Sequence, residues 1–132
     1  MPDKDYSHRT RLQKIGVKPE WRVSVVSVGD PGFIDELRGA AAHVSLGRVA
    51  DDSDAIFFGA SHAKELVRLG ALKRSLKQNG ALWVIRPKGR PEISERAVMD
   101  AGKAAGLVDV KVISFSPTHT GEKFVIPVAE RR

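Results

Sequence analysis

The sequence predicts a three-layer α/β sandwich, with helices over both faces of a mostly parallel sheet and an antiparallel carboxyl-terminal hairpin. Three observations carry that expectation. Apolar runs of strand length recur at residues 22–28, 55–58 and 81–85, and stretches with helical apolar spacing separate them. After the last helical stretch, two more strand-like runs follow with only a turn between them.

In the first strand Val23, Val25, Val26 and Val28 crowd an extended segment that stops at Gly29-Asp30-Pro31-Gly32. A helix over 33–42 follows, with Phe33, Ile34, Leu37, Ala40 and Ala41 at helical spacing and Asp35 and Glu36 in the first turn, where the dipole favours anions. Residues 43–46 form a brief second strand, and the acidic turn Asp51-Asp52-Ser53-Asp54 leads into the third. Ser61 is expected to cap one helix running to about residue 78, with Leu66, Leu69, Leu72 and Leu76 as its apolar stripe, a bend at Gly70 and a stop at Asn79-Gly80. The strand over 81–85 lies mid-sheet and ends at Arg86-Pro87-Lys88-Gly89. A helix over 94–105 presents Val98, Ala101 and Ala105, and Gly106 releases the chain into strands over 108–115 and 123–128. Before all of these, a short helix over 7–14, closed by Gly16, is packed by Leu12 and Ile15.

The chain has 132 residues, 42% hydrophobic and 29% charged, and fits one hydrophobic core. We divide it into a surface segment over 1–21 and a single domain over 22–132. No apolar run nears the roughly 18 residues of a membrane span, and the first residues lack the apolar stretch of a signal peptide, so a cytoplasmic protein without membrane contact is expected. With no cysteine, disulfides, thiol catalysis and cysteine zinc sites are excluded. The net charge of +6 favours anionic partners.

Ligands of open α/β sheets sit beyond the carboxyl ends of the strands. That rule gathers Asp30 and Gly32 after the first strand, Ser61 and His62 after the third, and Lys88 and Arg90 after the fourth. Thr118, His119 and Thr120 join them where the fifth strand is parallel. Such a rim, rich in hydroxyls and cations, suits a phosphate or carboxylate.

Two resemblances emerge from these residues. The stretch from Leu72 through Lys77-Gln78-Asn79-Gly80 to Leu82-Trp83-Val84-Ile85 resembles the helix, glycine turn and strand of S-adenosylmethionine-dependent methyltransferases, and the terminal hairpin resembles that fold's ending. The resemblance implies a reduced methyltransferase-like topology that has lost one middle βα unit, with an antiparallel last strand. The chain is also similar to an uncharacterised bacterial family of short Rossmann-like proteins, a domain of unknown function. The matching pieces are Tyr6-Ser7, Lys14-Ile15-Gly16-Val17-Lys18, Leu82-Trp83-Val84 with Pro87-Lys88, Gly106 to Val112, and Gly121 with Phe124-Val125. It departs from that family at His119-Thr120-Gly121, where Trp-Ser-Gly is usual, and at Arg86, where an aromatic residue is common. This second resemblance implies the fold and no activity.

Methyltransferases place a glycine-rich turn after the first strand and an acid after the second for the ribose. Here Gly29-Asp30-Pro31-Gly32 has two glycines and Pro31 lacks a donor, while Asp51, Asp52 and Asp54 lie past the second strand, so that at best one reaches the pocket. His8, His43, His62 and His119 show no metal-ligand spacing, although His62 and His119 sit on loops that can approach each other. Gly59-Ala60-Ser61-His62-Ala63 lacks the second glycine of a nucleophile elbow. Lys64, Arg68, Lys73, Arg74 and Lys77 make the long helix basic, with Tyr6, Trp21 and Phe33 as the rings most able to be exposed and Phe57, Trp83 and Phe124 as core. The resulting reading is a non-catalytic Rossmann-like module whose rim binds a small anionic ligand or a protein partner, a second copy of itself included, and needs no cofactor. The alternatives are a divergent S-adenosylmethionine-dependent methyltransferase and a weak nucleic-acid-binding protein.

Overall fold

A computed structural model describes residues 10–132. Its element order is α1 (Arg11–Ile15), β1 (Arg22–Val26), α2 (Pro31–Ala40), β2 (His43–Leu46), β3 (Ser53–Gly59), a 3-10 helix (Ala63–Arg68) running into α3 (Leu69–Lys73), β4 (Leu76–Pro87), α4 (Glu95–Ala104), β5 (Val108–Ser114) and β6 (His119–Val125). A last 3-10 turn spans Val128–Glu130. The six strands form one sheet in the order β2-β1-β3-β4-β6-β5. Strands β2, β1, β3 and β4 are mutually parallel, and β6 is antiparallel to both β4 and β5. The expected architecture, a mostly parallel sheet with an antiparallel hairpin, is therefore the observed one. Chain direction through the sheet reverses between β1 and β3, because β2 lies outside β1 on one side and every later strand lies on the other.

Side-chain alternation along the strands splits the core over two faces. On one face Ile56, Phe58, Leu82, Val84 and Phe124 meet Leu66, Leu69 and Leu72 and, from the α4 side, Val98. On the other, Val23, Val25, Phe57, Trp83 and Ile85 meet Ile15 of α1 and Phe33 and Leu37 of α2. Close packing of α4 on β6 depends on Gly102, where an added Cβ would lie 2.2 Å from the Phe124 ring.

The long helix expected over 61–78 is corrected. Its leucine stripe is buried as the spacing predicts, but the backbone runs as a 3-10 helix and then one short α-helix, and Leu76 already belongs to β4. Asn79-Gly80 lies inside that strand and ends no helix. Tertiary pairing overrides local propensity here. Leu76 pairs with Ser53 and Ala81 with Ala55, so an irregular bulge forms in β4. Gly80 passes so close to β3 that a Cβ would sit 2.9 Å from the Asp54 carbonyl. Ser94 caps α4 as its position suggests, accepting from Ala97 N at 3.1 Å. The short amino-terminal helix starts at Arg11 with Gly16 as its left-handed C-cap, and the first part of the predicted segment lies outside the described residues. Among the described residues no helix is long and apolar enough to cross a membrane.

Candidate functional site

A cleft of about 120 Å³ opens at the carboxyl edge of the sheet, at the point where strand order reverses. The β1–α2 loop contributes Ser27 to Asp30, the end of β3 and the loop after it contribute Gly59 to Ser61, Ile85 forms part of the wall, and the β5–β6 turn with the first residue of β6 supplies Phe115, Ser116, Thr118 and His119. Two of these loops touch. Ser27 holds a left-handed φ of 61°. The bare α-carbon of Gly59 lies against it, since a Cβ there would be 2.1 Å from the Ser27 carbonyl oxygen. Ser27 was not among the residues the sequence singled out; a non-glycine residue in this conformation leaves no sequence signal.

Of the predicted rim, Asp30, Ser61 and His119 line the cleft together with Thr118, and the other positions do not. Asp30 serves first as the N-cap of α2, accepting from Phe33 N at 3.0 Å, and as the anchor of Arg11, whose Nη1 donates to it at 2.7 Å. That hydrogen bond, opposed by burial and aided by Phe33 N, holds the carboxyl below its ordinary value. It is an ionised structural group and a poor proton acceptor. Arg11 also grips Glu36 through Nη2 at 2.9 Å and lies over the Phe33 and Phe115 rings, 5.0 and 4.8 Å from their centroids. Gly32 belongs to the first turn of α2.

His62 is occupied as the cap of the 3-10 helix, its Nδ1 accepting from Lys64 N at 3.3 Å, while Glu65 accepts from the amides of Ser61 and His62. His62 therefore makes no dyad with His119. Lys88 and Arg90 are exposed on the turn after β4, and the Lys88 ammonium donates to Ser114 Oγ at 2.8 Å. Thr120 is committed to sheet pairing with Arg86 and Ser114. The hydroxyl-rich part of the prediction thus meets in one cleft, and its lysine and arginine stand outside the wall. The β5–β6 turn is ordered by its own polar groups. Thr118 Oγ1 and His119 Nδ1 are 2.8 Å apart, and Ser116 Oγ accepts from His119 N at 3.0 Å.

None of Asp51, Asp52 and Asp54 reaches the cleft. Asp54 accepts from Arg22 N at 2.8 Å and pairs with Lys77 at 3.2 Å, at the amino end of β1 and so at the opposite edge of the sheet. Phe33, expected to be exposable, is fully buried because the first turn of α2 packs on Phe57 and Phe115. The basic stripe is broken up as well. Lys73 pairs with Glu130, Lys77 with Asp54, and Arg68 lies 5.3 Å from the Phe58 ring centroid. Among the described residues no three His, Asp or Glu side chains form a metal site.

No family profile and no curated protein matches the chain. Solved structures do. A SAM-dependent methyltransferase from Aquifex aeolicus aligns with a TM-score of 0.66 at 17% identity, covering 86% of each chain. A TehB-like SAM-dependent methyltransferase from Corynebacterium glutamicum gives 0.56 at 13% identity over 88% of this chain and 85% of its own. The fibrillarin pre-rRNA processing protein of Methanococcus jannaschii gives 0.58 at 13% identity, covering 83% and 68%.

These likenesses establish the methyltransferase-like Rossmann fold. Hydroxyls, an imidazole and the Asp30 carboxylate, the last paired with Arg11, surround the cleft, whereas β2 is followed by Gly47-Arg48 and the shallow depression beside it, lined by Ser27, Ile34, Leu46 and Gly47, offers a ribose no carboxylate.

Proposed function

We propose that the chain is a divergent S-adenosylmethionine-dependent methyltransferase-type protein, one of the short Rossmann-like bacterial proteins its sequence resembles. Its carboxyl-edge cleft takes the carboxylate-bearing end of the ligand. The observation that carries this reading is the meeting of Ser27, Ser61, Thr118 and His119 in one cleft at the switch point between β1 and β3. The solved methyltransferases of the same fold support it. Such a cofactor supplies an electrophilic methyl group; the residues around the cleft supply recognition, with hydroxyls and His119 available to a carboxylate and backbone in place of the absent ribose acid.

A second reading is favoured by that same absence and by the small cleft. It is a non-catalytic site for a compact phosphate or carboxylate without any adenosyl part. Calorimetric titration of the intact chain with S-adenosylmethionine, S-adenosylhomocysteine, phosphate and citrate separates the two. Binding of the adenosyl compounds, weakened in Ser61→Ala and His119→Ala, supports the first, and binding of phosphate or citrate alone supports the second. Silence with all four compounds removes both and leaves a protein partner as the function of this edge.

A further inference from the structure

The β5–β6 turn holds His119 by its backbone and by its ring. The His119 carbonyl accepts from Phe115 N at 3.0 Å and from Ser116 N at 3.1 Å, and the adjacent Thr118 carbonyl accepts from Lys88 N at 2.9 Å. The hydroxyls of the turn form a chain with a direction. Each serine or threonine hydroxyl has one hydrogen to donate and two lone pairs to accept with. Ser116 Oγ accepts from the amides of Thr118 at 3.3 Å and His119 at 3.0 Å, so both of its lone pairs are taken. Its hydrogen is left for Thr118 Oγ1, 3.3 Å away, and Thr118 Oγ1 in turn has His119 Nδ1 at 2.8 Å. Donation from Ser116 to Thr118 and from Thr118 to Nδ1 is the one arrangement in which both hydroxyl hydrogens find partners among the described residues. In a neutral imidazole whose Nδ1 accepts, the ring hydrogen sits on Nε2. The ring belongs to the wall of the cleft, and among the described residues Nε2 has no partner. Nε2 is also accessible, since the buried unpaired side-chain atom among those residues is Glu122 Oε2.

We propose that Thr118 is a positioning residue that fixes His119 as a hydrogen-bond donor through Nε2, so that the cleft selects ligands presenting an anionic oxygen, of a carboxylate or of a phosphate. The proposal rests on the reading of this cleft as the ligand site. The rest of the wall has the same polarity. Asp30 is spent on Arg11 and on Phe33 N, and the Ser27 and Ser61 hydroxyls can donate alongside the imidazole. A hydrogen bond from Nε2 to an oxyanion is charge-assisted. In this tautomer Nε2 has no lone pair to offer an ammonium or a hydroxyl hydrogen, so His119 is a donor towards the cleft and no proton acceptor there.

The test combines nitrogen NMR of the imidazole in the intact chain, at about pH 8 where an ordinary imidazole is neutral, with calorimetric titration of S-adenosylhomocysteine and of phosphate. The His119 ring is assigned by the loss of its signals in His119→Ala. Wild type should show hydrogen on Nε2 and an accepting Nδ1. Thr118 is exposed, so Thr118→Val should keep the fold while the ring becomes a mixture of tautomers. If the donor form falls to about a third of the population, binding weakens about threefold. Thr118→Ser, which keeps the hydroxyl, should retain both the tautomer and the affinity. Binding of S-adenosylhomocysteine identifies the oxygen as a carboxylate's, and binding of phosphate alone identifies it as a phosphate's; either supports the proposal when Thr118→Val weakens it. Hydrogen mainly on Nδ1 in wild type, or a tautomer or affinity unmoved by Thr118→Val, would overturn the proposal and leave the cleft a ligand site. Binding of neither compound by wild type would overturn the ligand reading and this proposal with it.

Discussion

Arg11 Nη1 donates to Asp30 Oδ2 at 2.7 Å, joining the amino-terminal helix to the loop that forms one wall of the cleft. The same guanidinium reaches Glu36 and packs on Phe33 and Phe115, so α1, α2 and the end of β5 share one side chain. Arg11→Met should therefore lower stability by about 1–3 kcal/mol in denaturant unfolding. The pH dependence has a defined sign. Asp30 sits below its ordinary value of 3.8, so the stability it contributes is present above that pH and is lost as pH falls through its folded value. The gap between wild type and Arg11→Met should narrow below about pH 4. A gap that stays constant into acid would show that Arg11 acts through packing alone.

That residue also marks the limit of what the sequence reveals. The mostly parallel sheet and the terminal hairpin follow from patterns of apolar residues, the antiparallel last strand follows from the methyltransferase resemblance, and Asp30, Ser61 and His119 follow from the rule about strand ends. Arg11 pairs with residues 19 and 25 positions away, and no local pattern announces such a contact. The stretch 61–80 misleads for a related reason. Its leucine spacing is real and those leucines are buried, but pairing of Leu76 with Ser53 draws the chain into β4 two residues after Arg74, against its helical propensity. Lys88 and Arg90 follow the correct strand and still miss the wall, because the turn after β4 carries them outward into solvent.

Arg86 and Glu122 form a buried ion pair in which Glu122 is wholly enclosed and its Oε2 has no partner among the described residues. Arg86→Met alone should cost about 3–5 kcal/mol by leaving an uncompensated carboxylate in the core, whereas Arg86→Met with Glu122→Leu should be neutral or stabilising by about 1–4 kcal/mol. Chemical denaturation of the three proteins decides this. A double variant as weak as the single one would mean that the pair itself holds β4 to β6.

The same glutamate gives a second pH signature, opposite to that of Asp30. Burial raises Glu122 above its ordinary 4.5, and the Arg86 interaction only partly offsets that rise. An acid whose folded value is raised loses relative stability as pH climbs from the unfolded to the folded value, because the buried group must ionise. Wild type should thus lose stability relative to Glu122→Gln as pH rises from about 4.5 towards neutrality. Parallel stability curves for the two proteins would contradict the assignment.

At the α4–β6 contact, Gly102→Ala places a methyl 2.2 Å from a Phe124 ring carbon. Both backbones are fixed there by regular structure, so the ring must turn or the helix must lift, at about 1–3 kcal/mol. The favourable helix propensity of alanine recovers at most about 1 kcal/mol of this. A melting temperature at or above that of wild type would show that Phe124 repacks freely.

Ser27 offers a way to separate stability from binding in the cleft. Its φ of 61° is unfavourable for a residue with a Cβ and costs nothing for glycine. Ser27→Gly relieves that strain, but the glycine also gains freedom in the unfolded chain, so stability should rise by about 1 kcal/mol or less. The substitution removes a hydroxyl from the wall beside Gly59. If the cleft binds a carboxylate-bearing ligand through its hydroxyls, affinity should fall while the melting temperature holds or rises. A drop in both would mean that Ser27 is held in place by contacts its side chain makes within the fold, and unchanged affinity would remove its hydroxyl from ligand recognition.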